Sequence, residues 1–126
     1  MNLRFWMAAK AVVEVVFGIG FVAVPVWLAD IFGMDLDEPG ALMARLFGAA
    51  FIFGAITLWL AQSAQRSEKA VKAIIFGVVV SNLIGFVVTL MATLAGTWNA
   101  FGWLPVGLYL VFGLAFAYFL LVRHRQ

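Results

Sequence analysis

Residues 5–28, FWMAAKAVVEVVFGIGFVAVPVWL, form an apolar run of membrane-crossing length broken by two ionisable residues, Lys10 and Glu14, one helical turn apart. At ~1.5 Å of rise per residue, a carboxylate at position 14 sits roughly 12–15 Å along such a helix, near the middle of a hydrocarbon layer about 30 Å thick. Charge at that depth is costly unless it is neutralised, paired or hydrated, so Glu14 points to a functional site with polar company.

The composition around that run is of the same kind. Of 126 residues, 66% are hydrophobic and 11% charged, and the mean hydropathy is +1.10, against about 25% charged in a soluble domain. The chain reads as an all-α integral membrane protein, one four-helix transmembrane domain over 1–126 with no soluble catalytic domain attached. It has no Cys, which excludes disulfides, thiolate metal sites and cysteine nucleophiles. The net charge is only +2 and the basic residues stand at span ends, so they read as topology signals and nucleic acid is not expected as a partner. The opening segment has a basic residue before an apolar run, as a signal peptide does. It is too long and carries Lys10 and Glu14, so it reads as a retained first span.

Four helices are expected, over about 3–24, 40–62, 68–94 and 103–122. Pro25 opens a short interfacial helix after the first, with Trp27, Ile31 and Phe32 towards lipid, Asp30 towards water, and Gly33 as its stop. An acidic loop, 34–38, follows, with Asp37 or Glu38 placed to cap the second helix. The second helix carries small residues in i,i+4 pairs, Ala44 with Gly48 and Ala50 with Gly54. Ser67 caps the third, along which Ala73, Gly77, Ser81, Gly85, Thr89 and Thr93 repeat every four residues. That row favours tight packing on a neighbouring helix, within the monomer, in a homo-oligomer or against a partner membrane protein. The turn 96–102 is uncharged, and Pro105 falls in the first turn of the fourth helix.

Seven of the eight Lys and Arg lie on one side of this layout. Arg45 is alone on the other, with Asp30, Asp35, Asp37 and Glu38, so the positive-inside rule places both termini in the cytoplasm of a bacterial inner membrane. Trp6 and Trp59 then fall at the inner interface and Trp27, Trp98 and Trp103 at the outer one.

Depth selects the polar residues that can meet. Counted from the cytoplasmic side at ~1.5 Å per residue, Glu14, Asn82 and Thr57 share a level, and Tyr118 points back towards them. Lys10 is four residues before Glu14 on the same face. The ligand-binding candidates are therefore Glu14, Asn82, Ser81, Thr57, Tyr118 and Lys10, around a cavity for a lipophilic or cationic ligand, a proton or a lipid head group. Equally open are a structural latch, in which Glu14 bonds Asn82 or Lys10, and contact with another chain. Arg45 lies roughly 15 Å above Glu14 and is expected to snorkel to Asp30, Asp35 or Asp37. His124, in Arg-His-Arg, reads as a solvated end, and no metal site or cofactor is expected.

An enzyme is disfavoured: there is no HExxH, no phosphate loop, no nucleophile-base set and no second carboxylate at the level of Glu14. Haem is disfavoured too, since no His lies within a span. Ala11-Val12-Val13-Glu14-Val15, in the first of four spans, resembles the small multidrug resistance exporters. That likeness implies proton-coupled transport of lipophilic cations, although the seven-to-one charge bias departs from the balance that dual insertion requires. A longer resemblance, to small bacterial four-span membrane proteins of unassigned function, runs through Glu14-Val15-Val16-Phe17-Gly18, Ala44-Arg45-Leu46-Phe47-Gly48-Ala49-Ala50, Asn99-Ala100-Phe101-Gly102-Trp103, Leu108-Tyr109-Leu110 and Phe116-Ala117-Tyr118-Phe119-Leu120. It implies the fold and no activity. The expectation is a membrane binding or accessory protein built around Glu14, in contact with membrane lipids, with transport as the alternative.

Overall fold

The computed structural model describes residues 2–63 and 68–122. The helices are α1 (Leu3–Ala23), α2 (Pro25–Ile31), α3 (Glu38–Ser63), α4 (Glu68–Leu94) and α5 (Trp103–Leu121), with a turn of 3-10 helix at Ala100–Gly102 before α5. All but α2 are long and apolar enough to cross a membrane. Their ends have local causes. Asn2 Oδ1 accepts from the Arg4 amide at 2.9 Å at the start of α1, and Asp37 Oδ1 accepts from the Gly40 amide at 2.7 Å at the start of α3. Pro25 stands in the first turn of α2, and Gly33, at φ +80°, follows that helix in the left-handed conformation that glycine tolerates. Ser67, Arg66, Arg123, His124 and Arg125 lie outside the described residues.

The long helices form two antiparallel pairs, α1 on α3 and α4 on α5. In the first pair the backbones touch at Gly18 and Gly48: a Cβ on Gly48 would come 2.7 Å from the Gly18 carbonyl oxygen. Gly48 is thus the member of the small-residue pattern that sets this crossing. In the second pair the Tyr109 ring lies against Gly85, where any Cβ would collide with it.

The pairs converge at the terminal end of the bundle, where α1 and α4 start and α3 and α5 finish. Met7, Ala11, Ala55, Leu58, Ile75, Phe112, Phe116 and Phe119 form one buried cluster there. Towards the other end, called the loop end below, the pairs diverge and are joined by a clasp. Asn99 Nδ2 donates to the Ile31 carbonyl at 3.0 Å, and the Asn99 amide donates to the Phe32 carbonyl at 2.9 Å. The Phe32 and Trp98 rings meet with centroids 5.1 Å apart.

The clasp corrects two expectations. Phe32 is only 6% exposed, because Trp98 covers the face expected to meet lipid. Trp98 is half-buried and its indole N–H is directed at the Met34 sulfur, so it serves the clasp before any interface. The small-residue row of α4 also divides. Thr89 is buried and Gly85 and Thr93 are half-buried, against α5 and the turn before it, while Ala73, Gly77 and Ser81 are exposed.

Candidate functional site

Where the helix pairs diverge they enclose a cavity of about 560 Å³ to which α1, α3, α4 and α5 all contribute. Its size lies within the range of about 300–1,000 Å³ usual for small-molecule sites. The walls are aromatic because Phe17 and Phe21, and Phe47 and Phe51, each stand four residues apart on one helix face. The Phe21 and Phe47 centroids are 5.3 Å apart, and those of Phe47 and Phe51 4.4 Å. Phe32, Met34 and Trp98 of the clasp close the loop end. On the side between α3 and α4 the lining includes Phe47, Ile84 and Val88, all exposed, so these three form its open rim. A second hollow of about 290 Å³, between α1 and α3, is lined by apolar residues throughout.

The polar groups gather at the end nearest the packed cluster. Lys10 Nζ lies 3.1 Å from Glu14 Oε1 and 5.4 Å from the centroid of the Phe112 ring, which gives the ammonium a carboxylate on one side and a π face on another. Lys10 is only 7% exposed, so this pair, the one ion pair among the described residues, is shielded from solvent. Glu14 Oε2 has no hydrogen-bond partner. It rests over Gly54, where a Cβ would come within 2.6 Å of it, so Gly54 is the small residue that makes room for the carboxylate. Asn82 is 1% exposed and donates through Nδ2 to the Val78 carbonyl at 2.7 Å. That bond fixes the amide so that Oδ1, buried and unpartnered, remains available. Tyr109 lines the same cavity, and its hydroxyl makes no hydrogen bond among the described residues.

Of the residues selected from the sequence, Lys10, Glu14, Ser81 and Asn82 share this cavity. Ser81 is exposed at its edge and donates to the Val78 carbonyl at 3.1 Å. Thr57 and Tyr118 are not part of it. Thr57 lies beyond Gly54 towards the terminal end, where Ala55 and Leu58 shut the bundle, and its hydroxyl donates to the Phe53 carbonyl at 2.9 Å. Tyr118 follows Tyr109 by about two and a half helical turns and so stands on the opposite face of α5, 42% exposed. Arg45 departs from expectation as well: its Nε donates to the Val22 carbonyl at 3.3 Å. The α1–α3 crossing brings that carbonyl within reach, and the residue pairs with none of Asp30, Asp35 and Asp37.

Tyr109 is the residue that sequence reasoning missed. Depth counted from the loop end would have found it, since it stands six residues into α5, about 9 Å at the helical rise. Among the described residues no three His, Asp or Glu side chains gather to hold a metal ion.

The profile of a family described as a domain of unknown function, DUF8292, matches residues 2–122. The chain belongs to the DUF8292 family. The match takes in all five helices, so the cavity is built entirely from DUF8292 sequence. Comparison with curated proteins and with solved structures gave no match.

Proposed function

We propose that this protein is a multi-pass binding protein of a bacterial inner membrane, with both termini cytoplasmic, whose cavity holds a lipophilic small molecule with its polar end at Glu14 and Asn82. The observation that carries the reading is the cavity itself: aromatic walls, closed at both ends of the bundle, with polar groups concentrated at one end. A latch alone needs the polar groups but no room beside them. The orientation rests on Lys10, Lys69 and Lys72 near the terminal end and Asp30, Asp35, Asp37 and Glu38 near the loop end. No reaction is assigned, because among the described residues no second carboxylate stands at the level of Glu14.

Native mass spectrometry of the protein extracted from the membrane in which it was made tests the reading. A bound mass of a few hundred daltons is expected on the unaltered chain, and its loss in Ala44→Phe, which fills the cavity from α3. An unaltered chain without that mass, or equal masses on both proteins, would overturn it.

Proton-coupled export of a lipophilic cation is the second reading, favoured by the free Oε2 of Glu14 in the cavity. Reconstituted in vesicles, it requires pH-driven flux that Glu14→Gln abolishes while the protein stays folded.

A further inference from the structure

We infer that the ligand is a single-chain amphiphile whose head group donates hydrogen bonds, a hydroxyl or an ammonium, and that it reaches the cavity sideways from the lipid phase between α3 and α4. This deepens the binding reading and rests on it.

The head-group chemistry follows from which atoms are left over. The two buried polar atoms without partners, Glu14 Oε2 and Asn82 Oδ1, are both acceptors. One Asn82 N–H is held by the Val78 carbonyl, which fixes the direction in which the amide faces and turns Oδ1 away from that bond. Lys10 is the one cation lining the cavity, and its charge is offset by Glu14 Oε1 and by the Phe112 ring. A phosphate or carboxylate brought to this end would meet a carboxylate oxygen and an amide oxygen, both acceptors, and a cation already paired with Glu14. A hydroxyl or ammonium would instead satisfy groups whose desolvation is otherwise uncompensated. The Tyr109 hydroxyl, with no partner of its own among the described residues, can accept from or donate to the same head group.

The chain follows from the walls. Phe17, Phe21, Phe47 and Phe51 offer only apolar surface. At about 560 Å³ the space suits a drug-sized molecule or a single alkyl chain. The loop end is closed by the clasp and the terminal end by the buried cluster. The side between α3 and α4, helices that do not pack as a pair, is bordered by Phe47, Ile84 and Val88, each 45% exposed or more. An apolar rim on a membrane helix opens to acyl chains, so the ligand is one that already resides among them.

Four probes with one tail and different heads test this: dodecanol, dodecylamine, dodecanoate and dodecyl phosphate, with the protein held in amphipol and occupancy read by native mass spectrometry. The alcohol and the amine are expected to bind at least about ten-fold more tightly than the two anions, the difference an unsatisfied buried acceptor supports. Asn82→Leu is expected to weaken the alcohol and amine about ten-fold and leave the anions unchanged. Val88→Trp, at the rim, is expected to slow binding of all four without altering their order. Equal binding, or preference for an anion, overturns the head-group inference. Occupancy that Ala44→Phe still removes would then leave the binding reading standing. If none of the four binds while the cell-derived mass remains, this inference falls alone. The ranking on the unaltered chain decides even if Asn82→Leu does not fold.

Discussion

At the terminal end of the bundle Ile75, Phe116 and Phe119 have no exposed surface, and all four long helices contribute side chains to one cluster. At the loop end the two helix pairs stand apart around a cavity, held by backbone and side-chain hydrogen bonds of Asn99 and by a Trp98–Phe32–Met34 contact. The difference shows how a membrane chain this small can be both folded and hollow. Lipid is as apolar as a core, so helices associate through close packing and hydrogen bonds and not through exclusion of water. One tightly packed end secures the bundle, and the other can remain open provided its polar groups lie where a partner can reach them.

The largest effect should separate the two ends. Phe116→Ala leaves a void in the wholly packed region and should lower stability by about 3–5 kcal/mol. Phe47→Ala, the same chemical change at the cavity rim, should cost less, about 1–2 kcal/mol from its ring contacts with Phe21 and Phe51. Reversible unfolding in mixed micelles compares them. Equal losses would mean that Phe47 is packed as tightly as Phe116, and the contrast between the ends would fail.

A smaller effect sharpens the contrast. Asn99→Ala removes the bond to the Ile31 carbonyl and the cap on the Phe101 amide, which Asn99 Oδ1 accepts at 3.0 Å. Each such bond contributes about 0.5–1.5 kcal/mol. Hydrogen–deuterium exchange should quicken at residues 31–34 and 98–102 and stay unchanged at 112–119. Exchange that quickens throughout would show that the clasp and the packed cluster melt together.

How much of this was legible depends on whether a feature is local. The proline-started α2, the Asp37 cap and the Lys10–Glu14 pair each lie within four residues of sequence, and helical geometry places such neighbours directly. The site's other members come from elsewhere in the chain. That Tyr109 and not Tyr118 faces the cavity depends on the rotation of α5, and lipid removes the polar face that would reveal a helix's rotation in a soluble bundle. Arg45 illustrates the same limit, since its partner is a carbonyl that an opposite charge does not announce. The Asn99 clasp spans 68 residues of sequence and has no periodic signature.

The small-residue row of α4 supplies the smallest effect, because one pattern has two environments. A Cβ at Gly85 meets the Tyr109 ring, whereas a Cβ at Gly77 meets nothing within 4 Å. Gly85→Ala should therefore lower stability by forcing that ring aside. Gly77→Ala should leave it unchanged or raise it by at most about 1 kcal/mol, the helix-propensity gain of alanine over glycine. Paired melts, repeated across a range of protein-to-lipid ratios, read both. A loss at Gly77 that grows as the protein is concentrated would mean that the exposed Ala73-Gly77-Ser81 stretch packs against a second copy. The open side of the bundle would then be bounded partly by that copy and not by lipid alone, because Ser81 lies on both the stretch and the cavity edge. A loss independent of concentration would place a helix of the same chain there instead, contrary to the open space around that glycine.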